Sequence, residues 1–102
     1  MTSIISARVH QSYRNVVAVC DSSLLGKKFE EGKRQLDIRE NFYKDRELSK
    51  EEAIKLMQRQ SKEDATFNIV GEESVSAAIE AEIITKENVG KIADIPFALS
   101  LL

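Results

Sequence analysis

Three features of the sequence predict an α+β fold, with a mainly antiparallel sheet that opens on a β-hairpin and two or three helices packed on one face. Two apolar runs follow each other across a short polar link near the N-terminus, and a capping box then opens an apolar stripe at helical spacing. A second stripe, led by acids, precedes a return to extended apolar sequence. Strands first and helices later is the order of α+β proteins rather than of alternating βαβ units.

The elements follow from the residues in turn. Ile5, Ala7 and Val9 alternate with Ser6, Arg8 and His10, the period of a half-buried strand, and Val16 to Cys20 is apolar throughout, as in a strand buried on both faces. The link "QSYRN" makes them an antiparallel hairpin centred near Tyr13. Asp21 and Ser22 suit turning or capping, and Gly26 lets the chain reverse before "KKF". After a break at Gly32, Leu36 and Ile38 alternate with Gln35, Asp37 and Arg39 and read as a third strand.

Ser49 and Glu52 have capping-box spacing, so helix one is expected from there to about Gln60, with Ala53, Ile54, Leu56 and Met57 as its core stripe. A second helix is expected from Glu72 to Ile83: Val75, Ala78 and Ile79 form the stripe, and Glu72 and Glu73 complement the helix dipole. Between them, residues 61–70 allow either a short helix capped by Ser61 or an extended piece at Phe67 to Val70. The helix is the preferred reading. Ile92, Ile95, Phe97, Leu99 and Leu101 suggest a final strand, with Pro96 marking a bend or an edge. The expected order is β-β-β-α-α-β.

Composition bounds what such a fold can do. The 102 residues are 42% apolar, enough for one modest core, so residues 1–102 are read as a single domain. A net charge of −2 is too near neutral for bulk nucleic-acid or membrane binding. The halves differ, however: residues 1–50 carry ten basic and seven acidic side chains, residues 51–102 five and ten. No stretch approaches the roughly 18 apolar residues of a membrane span. The opening residues lead one to expect no signal peptide, and a lone cysteine has no internal partner, so the cytoplasm is the expected compartment.

The run "VCDSSLLGKKFEEGKR" invites a nucleophile or a phosphate loop, and neither survives its chemistry. A nucleophilic Cys20 needs a base, and in the expected hairpin His10 lies opposite Val16, roughly 13 Å along the strand from Cys20. Cys20 then faces Ser6 as a small buried group. A Walker loop needs glycine and a hydroxyl where Asp21 and Lys28 stand. With one cysteine and one histidine there is no structural zinc set, and no cofactor is expected. The pairs Glu30/Glu31, Glu51/Glu52 and Glu72/Glu73 read as solvated or dipole-complementing acids.

What remains is a run of cations. Lys27, Lys28, Lys33 and Arg34, with Arg39 nearby, are candidate contacts to RNA or an acidic partner, and Phe29, Phe42 and Tyr43 are close enough in sequence to stack on bases if exposed. Glu30, Glu31, Asp37 and Glu40 dilute that run. The rival is a small enzyme or ligand-binding domain with a site built from Arg8, His10, Tyr13 and Asp21. A homodimer through an exposed sheet edge is a third expectation.

The runs "VHQSYRNVVAVCDSSLLGKKFEEGKRQLDIRENFY" and "IVGEESVSAAIEAEIITKENVGKIADIPFALSLL" resemble the archaeal family called domain of unknown function 424, most specifically through "AVCD..LLGK.F.EG". The resemblance covers nearly the whole chain and carries no catalytic residue onto it. It implies a compact α/β protein of the archaeal cytoplasm, with an expected link to translation or RNA metabolism. The family usually has a histidine after the proline of its last segment, where this chain has Phe97. The expectation is therefore a non-enzymatic binding protein.

Overall fold

In the computed structural model, which describes residues 4–100, the two N-terminal runs form the expected hairpin. Strand β1 (Ile5–His10) pairs antiparallel with β2 (Val16–Asp21), His10 opposite Val16 and Ser6 opposite Cys20. Strand β2 is apolar from Val16 to Cys20, where both of its faces and both of its edges are covered. Its second neighbour is β6 (Thr66–Val70), which runs parallel to it with Cys20 beside Val70.

That strand corrects the helical reading of residues 61–70. Thr66, Ile69 and Val70 are β-branched and Phe67 is aromatic, all favoured on a pleated half-buried surface, and the open edge of β2 offers them a full ladder. Local periodicity carries no trace of that edge. The sheet continues through β8 (Ile95–Ser100) to β7 (Gly90–Ile92), and on its other side β1 pairs with β5 (Arg46–Leu48). The six-stranded order is β5-β1-β2-β6-β8-β7, antiparallel except at β2–β6. Leu101, expected at the end of the last strand, lies outside the described residues.

Two further readings need correction. The segment expected as a third strand is β4 (Arg34–Asp37), and "KKF", expected only to follow a turn and given no strand of its own, enters β3 (Lys28–Glu31). The two form a separate two-stranded sheet. Ile38 leaves that strand to be buried beneath it. The short helix α1 (Glu40–Tyr43) and β5 have no counterpart in the expected order, being too short to show a period.

Helices α2 (Lys50–Ser61) and α3 (Glu72–Glu80) cover one face of the main sheet, over Ile5, Ala7, Val17, Val19, Phe67 and Ile69. The opposite face carries Ala18, Cys20 and Val70 under Ile38 and Tyr43, with Phe29, Leu36 and Phe42 packed around them. Thus the two long helices share one face as expected, and the β3–β4 hairpin and α1 close the other. No described helix is long and apolar enough to cross a membrane.

The helix ends explain why these boundaries hold. Ser49 and Glu52 make the expected capping box at the start of α2. Helix α3 starts instead at Gly71, which has no side chain to cap it. Asp21 supplies the cap from the end of β2: its carboxylate accepts from the Glu73 N–H at 3.2 Å and from the Ser74 N–H and hydroxyl at 2.8 Å each. Gly71 has φ +109°, and a Cβ there would lie 2.4 Å from the Asp21 Cγ.

Helix α3 stops at Glu80 rather than Ile83 because Glu82 turns left-handed at φ 62°. The Ile83 N–H then bonds to the Ala78 carbonyl and the Glu82 N–H to Ile79, a Schellman ending without its usual glycine. Pro96 sits inside β8 at no cost to the ladder. Its nitrogen points past the end of β6, and its carbonyl accepts from the Gly71 N–H at 2.9 Å.

Asp21→Ala is expected to lower stability by about 2–3 kcal/mol through the loss of charged hydrogen bonds at a helix start. Gly71→Ala should cost about 3 kcal/mol through strain and overlap. Glu82→Gly should instead stabilise by about 0.5 kcal/mol, because relief of left-handed strain outweighs the added freedom of the unfolded chain. Chemical denaturation of the three variants checks both the signs and the order.

Candidate functional site

The candidate site forms where the β3–β4 hairpin folds over the β7–β8 edge of the main sheet. Register places Phe29 opposite Leu36 and Glu31 opposite Arg34, so these four share the hairpin's inner face. Phe29 and Leu36 pack on the sheet. Glu31 accepts the Ala93 N–H at 3.1 Å, in the turn between β7 and β8. Arg34 lies over the Phe97 ring, 5.6 Å from its centroid, and Gly90 abuts the edge of that ring, where a Cβ would come 3.0 Å from the nearest aromatic carbon. The guanidinium, the ring edge and the bare backbone therefore meet at one corner, since the same Cβ would lie 3.6 Å from an Arg34 guanidinium nitrogen.

Beside this stack, between the hairpin and strands β6 and β8, opens a cavity of about 230 Å³. Leu36, Val70, Phe97 and Leu99 give it apolar walls, and Gln35, Tyr43 and Asn68 bring its polar groups. It is smaller than the roughly 300–1,000 Å³ of sites that enclose a drug-sized ligand, so it suits one ring rather than a whole molecule. Leu99 is more than half exposed at this wall.

The chemistry around the cavity is neutral. Burial pushes the Tyr43 phenol up to about 12, with Cys20 and Asp37 adding to the shift, so it serves as a hydrogen-bonding group and not as a base. Burial, assisted by the charge of Asp21, likewise pushes the Cys20 thiol up to about 12. Cys20 is fully buried and stays a thiol. Among the described residues, no three of His, Cys, Asp and Glu come close enough together to hold a metal ion.

The residues of the rival site do not meet. Arg8 donates to the Asn41 carbonyl at 2.8 Å, and a His10 ring nitrogen is 2.8 Å from the Phe42 carbonyl, with the imidazole stacked on the Phe42 ring at 4.5 Å. Both hold α1 against β1. Asp21 caps α3, and Tyr13 stands fully exposed in the first hairpin turn.

The four candidate cations lie on one hairpin but at its two ends. Lys27 and Lys28 are at the base, while Lys33 and Arg34 are at the tip, roughly 10 Å along the strands. All four are exposed; Lys28 also lies 3.8 Å from Glu30, and Arg34 rests on Phe97. The aromatics expected to stack on bases are turned inward. Phe29 and Phe42 are partly buried and Tyr43 is buried. Sequence reasoning does not single out Asn68 or the role of Phe97 as a cavity wall, because strands distant in the chain bring them together. The odd residue after Pro96 is the one signal available.

The model of the family described as "Protein of unknown function (DUF424)" matches residues 9–101. The chain belongs to this family. Among solved structures, it is similar to an uncharacterized conserved protein from Methanopyrus kandleri, at 25% sequence identity and a TM-score of 0.84, over 95% of this chain and 90% of that one. A search of curated proteins found no match. The DUF424 assignment agrees with the resemblance drawn from "AVCD..LLGK.F.EG", and Phe97, which stands where the resemblance leads one to expect a histidine after Pro96, lines the cavity.

Stability should fall in alkali. Cys20 and Tyr43 are held neutral in the fold, but in the unfolded chain they ionise near 9.0 and 10.0, so their contribution is intact below those values and is lost as pH rises toward about 12. Urea midpoints measured from neutral pH to about 11 should decline, with Tyr43→Phe showing a shallower decline than the wild type. Parallel curves for the two proteins would contradict this.

Proposed function

We propose that this member of the DUF424 family is a non-enzymatic binding protein that contacts RNA through the β3–β4 hairpin, within archaeal translation or RNA metabolism. The observation that carries the reading is the placement of Arg34 on Phe97 at the wall of a ring-sized, neutral cavity. Single-stranded RNA offers what such a place suits: an unpaired base for the apolar slot, with Tyr43 and Asn68 as hydrogen-bonding partners, and phosphates for the cations outside it. Lys33 at the tip and Lys27 and Lys28 at the base extend the positive surface along the backbone path.

The absence of reaction chemistry in this reading rests on the same geometry. Cys20 and Tyr43 stay protonated at neutral pH, and His10 is engaged with the Phe42 carbonyl. A ligand-binding domain is the second reading, favoured by the cavity itself.

Replacing Lys27, Lys28, Lys33 and Arg34 together by alanine is expected to weaken binding of a single-stranded RNA oligonucleotide. The slope of log affinity against log salt should fall by up to ~3, about 0.7 for each phosphate that is no longer neutralised. Fluorescence anisotropy over a salt series measures both. Equal affinity and slope for wild type and variant would overturn the hairpin as the RNA-binding surface, and binding of a free nucleobase by both alike would favour the second reading.

A further inference from the structure

A second concave surface lies at the opposite edge of the main sheet, between β5 and α2. Arg46 and Leu48 pair with Ala7 and Ile5, whose side chains are buried under the helices, so both point to the helix side of the edge strand. Glu52, Lys55, Leu56 and Arg59 recur at i, i+3, i+4 and i+7 on α2 and form the facing wall. Together these six residues line a cleft of about 340 Å³. Its floor is apolar, from Leu48 and Leu56, and its rim carries three cations.

None of those cations is in an ion pair among the described residues; the pairs there are Lys28–Glu30, Arg39–Asp37 and Lys50–Glu80. Glu52 offsets them only in part: its carboxylate feels the charge of Lys55 but forms no ion pair with any of the three. One of its oxygens accepts the Ser49 N–H in the capping box, and that bond is the main reason its carboxyl lies below the usual range. In a chain of net charge −2, two guanidiniums and an ammonium thus line one cleft with Glu52 as the single carboxylate among its lining residues, so positive charge is in excess there. Each guanidinium presents a planar fork of donors matched to phosphate oxygens.

We propose that this cleft binds the phosphate group of a small phosphorylated sugar compound. Arg46 and Arg59 grip the phosphate from the strand and helix walls, and Lys55 adds charge. Leu48 and Leu56 pack on the carbon skeleton, and the second oxygen of Glu52 accepts a sugar hydroxyl. The volume lies within the range of sites that enclose small ligands, and one carboxylate at the end of a walled cleft suits a compact ligand better than a continuous polyphosphate backbone. The site is independent of the RNA reading: five strand spacings, roughly 24 Å, separate β5 from β7 beside the hairpin.

The test is an NMR titration of the full chain with inorganic pyrophosphate and, separately, ribose 5-phosphate. Both are expected to move the resonances of Arg46, Lys55 and Arg59. Arg59→Gln or Arg46→Gln should weaken binding about tenfold, while Glu52→Gln should weaken the sugar phosphate more than pyrophosphate. These are exposed side chains, and unchanged far-UV circular dichroism checks that the variants fold. The alanine variant of the four hairpin cations should bind both probes as the wild type does. Shifts confined to the hairpin, wild-type affinity in Arg59→Gln, or a cleft that responds to an RNA oligonucleotide but to neither small probe would overturn the proposal.

Discussion

The carboxylate of Asp21 joins the centre of the sheet to the helical layer, and most of the remaining geometry follows from that junction. It ends β2 and begins α3, which starts at a residue unable to cap itself. The requirement is mutual, because only a glycine at position 71 leaves room for the carboxylate. Gly71 also donates its N–H to Pro96, so the same corner sets where β8 enters the sheet. Strand, helix and final hairpin are thereby registered against one another by side-chain and backbone bonds within a few ångströms.

The two faces of the sheet have different work. On one, α2 and α3 bury a continuous aliphatic core, which accounts for much of the hydrophobic stabilisation. On the other, shorter pieces are held by particular contacts: Arg8 and His10 on the backbone of α1, Glu31 on the β7–β8 turn, Arg34 on Phe97. Such a cover leaves gaps where a close-packed helix would leave none. The cavity beneath the hairpin is one of them, and its polar groups are those that a neutral ring can satisfy.

Signals confined to a few neighbouring residues are readable in the sequence. The register of the first hairpin, the Ser49–Glu52 cap and the two amphipathic stripes all depend on spacing within one element, and the structure reproduces them. The departures have a common cause in distance. Whether residues 66–70 extend depends on an open edge at β2, about 50 positions earlier in the chain, and Asp21 looks like a local turn residue because its helix lies 53 residues away. The strand Arg34–Asp37 is visible as alternation, but which sheet it joins is not. Arg46, Lys55 and Arg59 do not stand out because no run of positive charge links them.

The parallel pairing of β2 with β6 also orders events in time. A hairpin such as β1–β2 closes across a five-residue link, whereas β2 can meet β6 only after the intervening hairpin and helix have been made and the longer loop has closed. During synthesis from the N-terminus, the most apolar strand of the protein therefore waits with one edge unpaired. The charged β3–β4 hairpin that follows it directly is the first segment able to shield its face, which gives those lysines and glutamates a use in keeping the nascent chain from sticking to others.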